Sequence, residues 1–139
     1  MSTPPSAAPR RALPVATPET QHFWAGTAAG EFCLQRCRAC GDAYFPPQPW
    51  CPHCASDDVE VFAASGEATL YSYVISQLAA PGFEAPYVIA VVTLAEGPQV
   101  LTNLVGVAAE PDALPLDLPL VVEFESVGDV ALPVFRPAS

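Results

Sequence analysis

Apolar and polar positions are spread unevenly along the chain, and the unevenness divides it into four stretches. Residues 1 to about 18 are rich in Pro, Ala, Ser and Thr and show no apolar periodicity. Such a segment cannot bury enough surface to offset the entropy of ordering, so a loose tail is expected over 1–18. In "TPETQHFWAGTAA", Thr17 reads as an N-cap and Pro18 as the first helical residue, and Gly30 closes the segment. This predicts a short helix within 19–30, carrying Phe23 and Trp24.

Strand patterning dominates the second half. In "EATLYSYVISQL", Leu70, Tyr71, Tyr73, Val74 and Ile75 are strand formers on both faces. "PYVIAVVTLAEG" is almost continuously apolar from Tyr87 to Ala95, so both faces of that strand need cover. Glu96-Gly97-Pro98 predicts a hairpin turn into "PQVLTNLVG". Leu120, Val122 and Phe124 alternate with Val121, Glu123 and Glu125 in the half-solvated pattern, and "ALPVF" supplies a last strand. Five strands joined by a poorly helical "AAEPDALPLD" suit a small OB-type Greek-key barrel over 58–139. A sandwich fragment is the competing architecture. Closure favours the barrel, because an open five-stranded sheet would have two edges to protect.

Between helix and barrel, residues 31–57 hold four of the five cysteines, as Cys37-x-x-Cys40 and Cys51-x-x-Cys54. Two such pairs can close around one ion and supply the four thiolates of a structural Zn²⁺ site. Gly41, directly after Cys40, permits the positive φ of a knuckle, and Pro46, Pro47 and Pro49 stiffen the return. The expectation is a rubredoxin-like zinc ribbon. In isolated zinc modules the metal contributes on the order of 10–16 kcal/mol to folding. With four protein ligands no open position remains, which points to a structural rather than a catalytic ion; the ligand set alone does not separate zinc from iron. Cys33, in the apolar run "EFCLQRC", reads as a small core residue with no acid-base partner nearby. His22 and His53 read as a satisfied helix residue and a surface residue.

Charge then excludes whole classes of function. The 139-residue chain carries 15 acidic residues against 5 basic ones, a formal net charge of -10, and every basic residue is an arginine. Binding a phosphate backbone needs clustered Lys or Arg, so DNA and RNA are disfavoured as partners, although an OB fold by analogy suggests a nucleic-acid binder. Anionic membrane surfaces are disfavoured for the same reason. No apolar run of signal-peptide length follows Arg10-Arg11, and nothing approaches the ~18 apolar residues of a spanning helix, so a cytoplasmic protein is expected. There is no G-x-S-x-G, H-E-x-x-H or phosphate-cradling glycine loop, and a stand-alone hydrolase or redox enzyme lacks an identifiable base or activated thiol.

The combination is more specific than its parts. "FWAG" at 23–26, "QRCRACGDAYFPP" at 35–47, "CPHC" at 51–54, "SGEATLYSYVI" at 65–75, "APYVIAVVTLAEGPQVLTNLVG" at 85–106, "VVEFE" at 121–125 and "LPVFRP" at 132–137 cover most of the chain. In this order they resemble the family known as domain of unknown function 35, zinc-ribbon plus OB-fold proteins commonly encoded beside thiolase-like or acyl-CoA-processing enzymes. The resemblance implies a non-catalytic or co-catalytic accessory subunit. Such a subunit binds a thiolase-like, hydratase or aldolase partner and helps form the channel for an acyl-CoA thioester. Phe23, Trp24, Tyr87, Asn103 and Arg136 are the candidates for contact with acyl-CoA or the partner. Departures from the family pattern are Ala55 where a glycine is usual after the second knuckle, Ala68 where a second glycine often follows Gly66, and "LDLPLVV" where a glycine usually precedes the fourth barrel strand.

Overall fold

The computed structural model describes residues 13–138. The expected tail therefore lies outside the described residues over 1–12, while residues 13–17 carry no helix or strand. The elements that follow are α1 (Gln21–Ala28), β1 (Cys33–Cys37), β2 (Ala43–Tyr44), β3 (Val59–Ala63), β4 (Glu67–Ser76), β5 (Tyr87–Leu94), β6 (Gln99–Leu104), a single 3-10 turn (Pro111–Ala113), β7 (Pro119–Val127) and β8 (Val130–Pro137). No helix among the described residues is long and apolar enough to cross a membrane.

The helix begins later than its start signal suggested. Thr20, not Thr17, is the N-cap residue. The Thr17 carbonyl accepts from the amides of Thr20 and Gln21 at 2.9 Å, and the Thr17 N–H donates to Thr20 Oγ1 at 2.9 Å. Thr17-Pro18-Glu19-Thr20 thus closes a turn of its own before the helix, with proline at the second position that such turns favour.

Two sheets share the rest. β2, β1 and β3 form a small antiparallel sheet, with Cys33 opposite Ala63 and Cys37 opposite Val59. Val59–Ala63, placed with the barrel by the expected division at 57/58, pairs with the cysteine-bearing strand instead. Its alternating "VEVFA" pattern suits either sheet, and only the long-range partner decides.

The barrel closes in the order β4-β5-β6-β8-β7, as an OB fold does, through a parallel contact of Leu104 with Phe135. The predicted turn joins β5 to β6: Gly97 adopts φ +115° and its N–H donates to the Leu94 carbonyl. β5 alternates strictly, with Val88, Ala90, Val92 and Leu94 filling the interior and Tyr87, Ile89, Val91 and Thr93 half-buried outside. β4 reads less regularly because a bulge between Leu70 and Ser72 leaves Tyr71 without a partner on β5. One extra residue reverses the inward phase. Ala68 and Leu70 point in before the bulge, Tyr73 and Ile75 pack against the core after it, and Tyr71 and Val74 face out. Beside the bulge, the β6–β7 connection satisfies Leu70, whose N–H donates to Leu118 O and whose carbonyl accepts from the Asp117 N–H.

A single apolar core joins the pieces. Phe23 of α1 meets Phe32 edge-on at 5.6 Å and Phe45 at 5.2 Å, and Phe32 reaches Phe135 of the barrel at 6.1 Å. Phe135 is fully buried. Gly26 lets the helix approach β1: a Cβ there would stand 2.8 Å from Cys33 Sγ. That contact accounts for both the glycine of "FWAG" and the buried, unpaired thiol.

Candidate metal centre and binding surface

The two cysteine pairs sit on matching knuckles. After Cys37 the chain turns so that the Gly41 N–H donates to the Cys37 carbonyl at 2.8 Å, and after Cys51 the Ala55 N–H donates to the Cys51 carbonyl at 2.9 Å. Both closing residues have positive φ, +83° at Gly41 and +64° at Ala55. The arm between the knuckles is tied down by side chains. Buried Gln35 accepts from the Gln48 N–H through Oε1 at 2.6 Å, and the Tyr44 hydroxyl donates to the Gln48 carbonyl at 2.9 Å.

These turns bring Cys37, Cys40, Cys51 and Cys54 together, with all four sulfurs within 4.8 Å of one another. Cys37 and Cys54 are 3.5 Å apart and Cys40 and Cys51 are 3.6 Å apart. A tetrahedron with ~2.3 Å zinc–sulfur bonds has edges of about 3.8 Å, so the cage fits the ion. Backbone amides support the charge: the Cys40 N–H donates to Cys37 Sγ and the His53 N–H to Cys51 Sγ. The Cys40 amide is the main reason the Cys37 thiol is lowered to about 7. At Cys40 the Asp42 amide pulls downward, but burial and the neighbouring sulfurs outweigh it and push the thiol to about 12. A cation removes that conflict by favouring all four thiolates at once. The donor set is complete without water or substrate, so an ion held by these four sulfurs is structural. Cys33 stays outside the cage; burial first, and Glu31 second, push its thiol pKa up.

The remaining candidate residues do not share one place. Phe23 is only 3% exposed and packs in the aromatic junction, with Trp24 edge-on to it at 4.9 Å. Tyr87 and Asn103 do come together. They line a cleft of about 720 Å³ beside the barrel, with Phe83, Glu84 and Glu125. The Asn103 side-chain amide donates to the Val88 carbonyl at 2.9 Å, tying β6 to β5, and Phe83 stacks on Tyr87 at 4.9 Å. Arg136 lines a different cleft of about 520 Å³ with Glu67 and Thr93, and its guanidinium lies 3.4 Å from Glu123. Arg38 pairs with Asp58 at 2.9 Å and Glu60 at 3.4 Å, and Arg36 lies over the Phe62 ring at 4.1 Å. Each arginine among the described residues is therefore already engaged. Phe83 had escaped the sequence reading; an aromatic within the Pro- and Gly-rich "LAAPGFEAP" was the available signal.

A four-sulfur ribbon packed through one core onto a closed five-stranded barrel defines a zinc-ribbon/OB-fold protein. Residues 24–60 match the family described as the ChsH2 rubredoxin-like zinc ribbon domain, and residues 62–125 match the ChsH2 C-terminal OB-fold domain. The chain is 43% identical over 119 residues to a probable enoyl-CoA hydratase alpha subunit of Thermomonospora curvata, an alignment covering 84% of this chain and 37% of that protein. It is 35% identical to a DUF35 domain-containing scaffold protein of Methanocaldococcus jannaschii, over 69% of this chain and 67% of that one. Among solved structures, a chain of the Ltp2-ChsH2(DUF35) aldolase superposes with a TM-score of 0.81 at 38% identity, covering 91% of this chain and 100% of that one. The protein belongs to the DUF35 family. It spans little more than a third of the hydratase subunit's length.

Proposed function

We propose that this chain is a non-catalytic or co-catalytic accessory subunit. It docks on a hydratase, aldolase or thiolase-like partner and helps form the channel through which an acyl-CoA thioester reaches that partner's active site. The observation that carries this reading is the match, along nearly the whole chain, to the DUF35 chain of an aldolase. The hydratase subunit's name supports the same partner class. The metal cage supports an accessory role too, since an ion enclosed by four sulfurs has no position for substrate. A reducing cytoplasm, which keeps those sulfurs available to metal, is the compartment that suits it.

The nucleic-acid reading of the barrel fails on charge: the net charge is -10, and Arg36, Arg38 and Arg136 are engaged. The test is co-expression with the hydratase-, aldolase- or thiolase-type proteins encoded beside this chain, followed by co-purification and assay of acyl-CoA turnover. A stable complex with altered turnover is expected. A chain that stays alone with every candidate and leaves their rates untouched would rule the proposal out, and tight binding of single-stranded oligonucleotides would replace it.

A further inference from the structure

The apolar run of β5 asks for cover on both faces, and the described chain completes it on one. Ile89 and Val91 are half-buried on the outer face. Across the ladder, Val74 of β4 and Asn103 of β6 flank Ile89, while Ser72 and Leu101 flank Val91. The row beyond them is Thr69, Thr93 and Gln99. None of these side chains is charged, although the chain carries a net charge of -10 and β7, the other neighbour of β4, exposes Glu123. Single exposed apolar side chains need no account, but a contiguous uncharged strip on an acidic protein has the make-up of an interface centre, from which charge is depleted.

The relief of the strip selects the occupant. Val74, 61% exposed, and Leu101, 74% exposed, stand up at opposite corners of the central four flanking positions. Ser72 and Asn103 hold the other two corners. Ser72 is short, and Asn103 is drawn onto β5, where its side-chain amide donates to the Val88 carbonyl at 2.9 Å. A shallow groove of about 260 Å³ opens there, lined by Asn103 with Ile89 and Leu101. A two-fold axis in the plane of contact, through the centre of the four, exchanges the two diagonals. Parallel to β5, it sets Val74 over Asn103 of the second copy and Leu101 over Ser72; perpendicular to β5, it sets Val74 over Ser72 and Leu101 over Asn103. Either way a raised apolar side chain meets a notch, the self-complementarity that an isologous contact requires. Because the strip is uncharged, two copies meet there without burying a carboxylate. Their like net charges oppose the contact only at longer range, where salt screens them.

We infer that the outer face of β4, β5 and β6 is a self-association surface, on which a second copy of this chain packs sheet to sheet. The pairing does not depend on the accessory-subunit reading. Three strands about 4.8 Å apart and four rows about 6.8 Å apart make a patch of roughly 400–600 Å² per copy once side-chain relief is counted. The total of roughly 800–1,200 Å² is small for a specific interface, so the dimer is weak and forms with rising concentration.

The test is sedimentation velocity on the full zinc-loaded chain from about 5 µM to about 500 µM, a range that brackets the affinity expected of a small interface. Wild type is compared with Leu101→Glu, Val74→Glu and Ser72→Leu, and with Val61→Glu as the control, 47% exposed on the other sheet. A monomer–dimer equilibrium is expected for the wild type. It should tighten as salt rises from about 0.05 M to about 0.5 M, which shortens the screening length from roughly 14 Å to roughly 4 Å. Leu101→Glu and Val74→Glu are expected to weaken it roughly tenfold or more, with Val61→Glu within about twofold. Ser72→Leu separates a fitted contact from general stickiness: filling the notch should weaken the dimer roughly fivefold or more, although it adds apolar surface. Retained zinc and an unchanged melting temperature show that each variant is folded. A wild-type chain that stays monomeric throughout overturns the inference, as does a dimer that both glutamate variants leave intact. Tighter association of Ser72→Leu overturns it in favour of unspecific adhesion. Monomeric wild type whose capture by a hydratase- or aldolase-type partner is lost in Leu101→Glu overturns it in favour of a partner on this face, and leaves the accessory reading standing.

Discussion

The two knuckles of the ribbon provide an internal control for backbone strain. Each ends in a residue of positive φ whose N–H returns to the carbonyl of the first cysteine, but one is Gly41 and the other Ala55. For an alanine the left-handed region costs about 1–2 kcal/mol. A glycine at the same place avoids that cost but gives back about 0.5–1 kcal/mol through its freer unfolded chain. Ala55→Gly should therefore stabilise the second knuckle by about 0.5–1 kcal/mol net. Gly41→Ala should cost a similar amount, since nothing lies within 4 Å of a Cβ at position 41 to add a clash. Because the knuckles form with the metal, the gain appears as zinc affinity, roughly two- to fivefold tighter for Ala55→Gly and correspondingly weaker for Gly41→Ala. Competition with a chromophoric chelator measures both. Unchanged or weaker zinc binding in Ala55→Gly would refute the strain argument, as would a Gly41→Ala protein that binds zinc like the wild type.

Other outcomes follow from buried contacts. Gly26→Ala should destabilise despite alanine's better helix propensity, because its Cβ would press on Cys33 Sγ at 2.8 Å. Overpacking of this kind costs about 1–3 kcal/mol, and adding Cys33→Ala should recover much of it, as urea midpoints of the single and double variants will show. Cys33 itself, buried and with its thiol pKa raised, should resist iodoacetamide at pH 7 in the zinc-loaded protein and react only after denaturation, as peptide mass spectrometry will register. Burial lowers the pKa of His22, whose Nε2 is enclosed without a hydrogen-bond partner. The unfolded chain takes up this proton first, so the stability His22 confers is complete above the ordinary histidine value of about 6.5 and is lost as pH falls below it. His22→Leu should flatten that part of the stability curve relative to wild type, and parallel unfolding series from pH 7 to 5 would expose a curve left unchanged.

Much of this structure is written in local pattern. The metal cage was legible because ligand chemistry fixes both residue type and spacing, and the barrel because Tyr87–Leu94 is a nearly unbroken apolar run and Leu120–Phe124 alternates in one phase. Where phase breaks, legibility ends. Tyr71 gave no sign of the bulge that turns Val74 outward, since Leu70, Tyr71, Tyr73, Val74 and Ile75 are strand formers that suit either face. The pairing of Val59–Ala63 with β1 depends on a partner more than twenty residues away. Phe23 looked like a ligand-facing aromatic and became a core residue, because its neighbours Phe32 and Phe45, and Phe135 beyond Phe32, come from three other parts of the chain.

That aromatic junction limits how this architecture can be cut and recombined. Severing the chain between Ala63 and Gly66 would strip Phe32 and Phe45 from one fragment and Phe135 from the other, leaving each half with a raw, sticky wound. Gene fusions or module exchanges that respect the cysteine motif but ignore Phe135 should yield inclusion bodies, whereas transplants that carry the whole ring cluster should survive. Heredity at this seam travels with four phenylalanines.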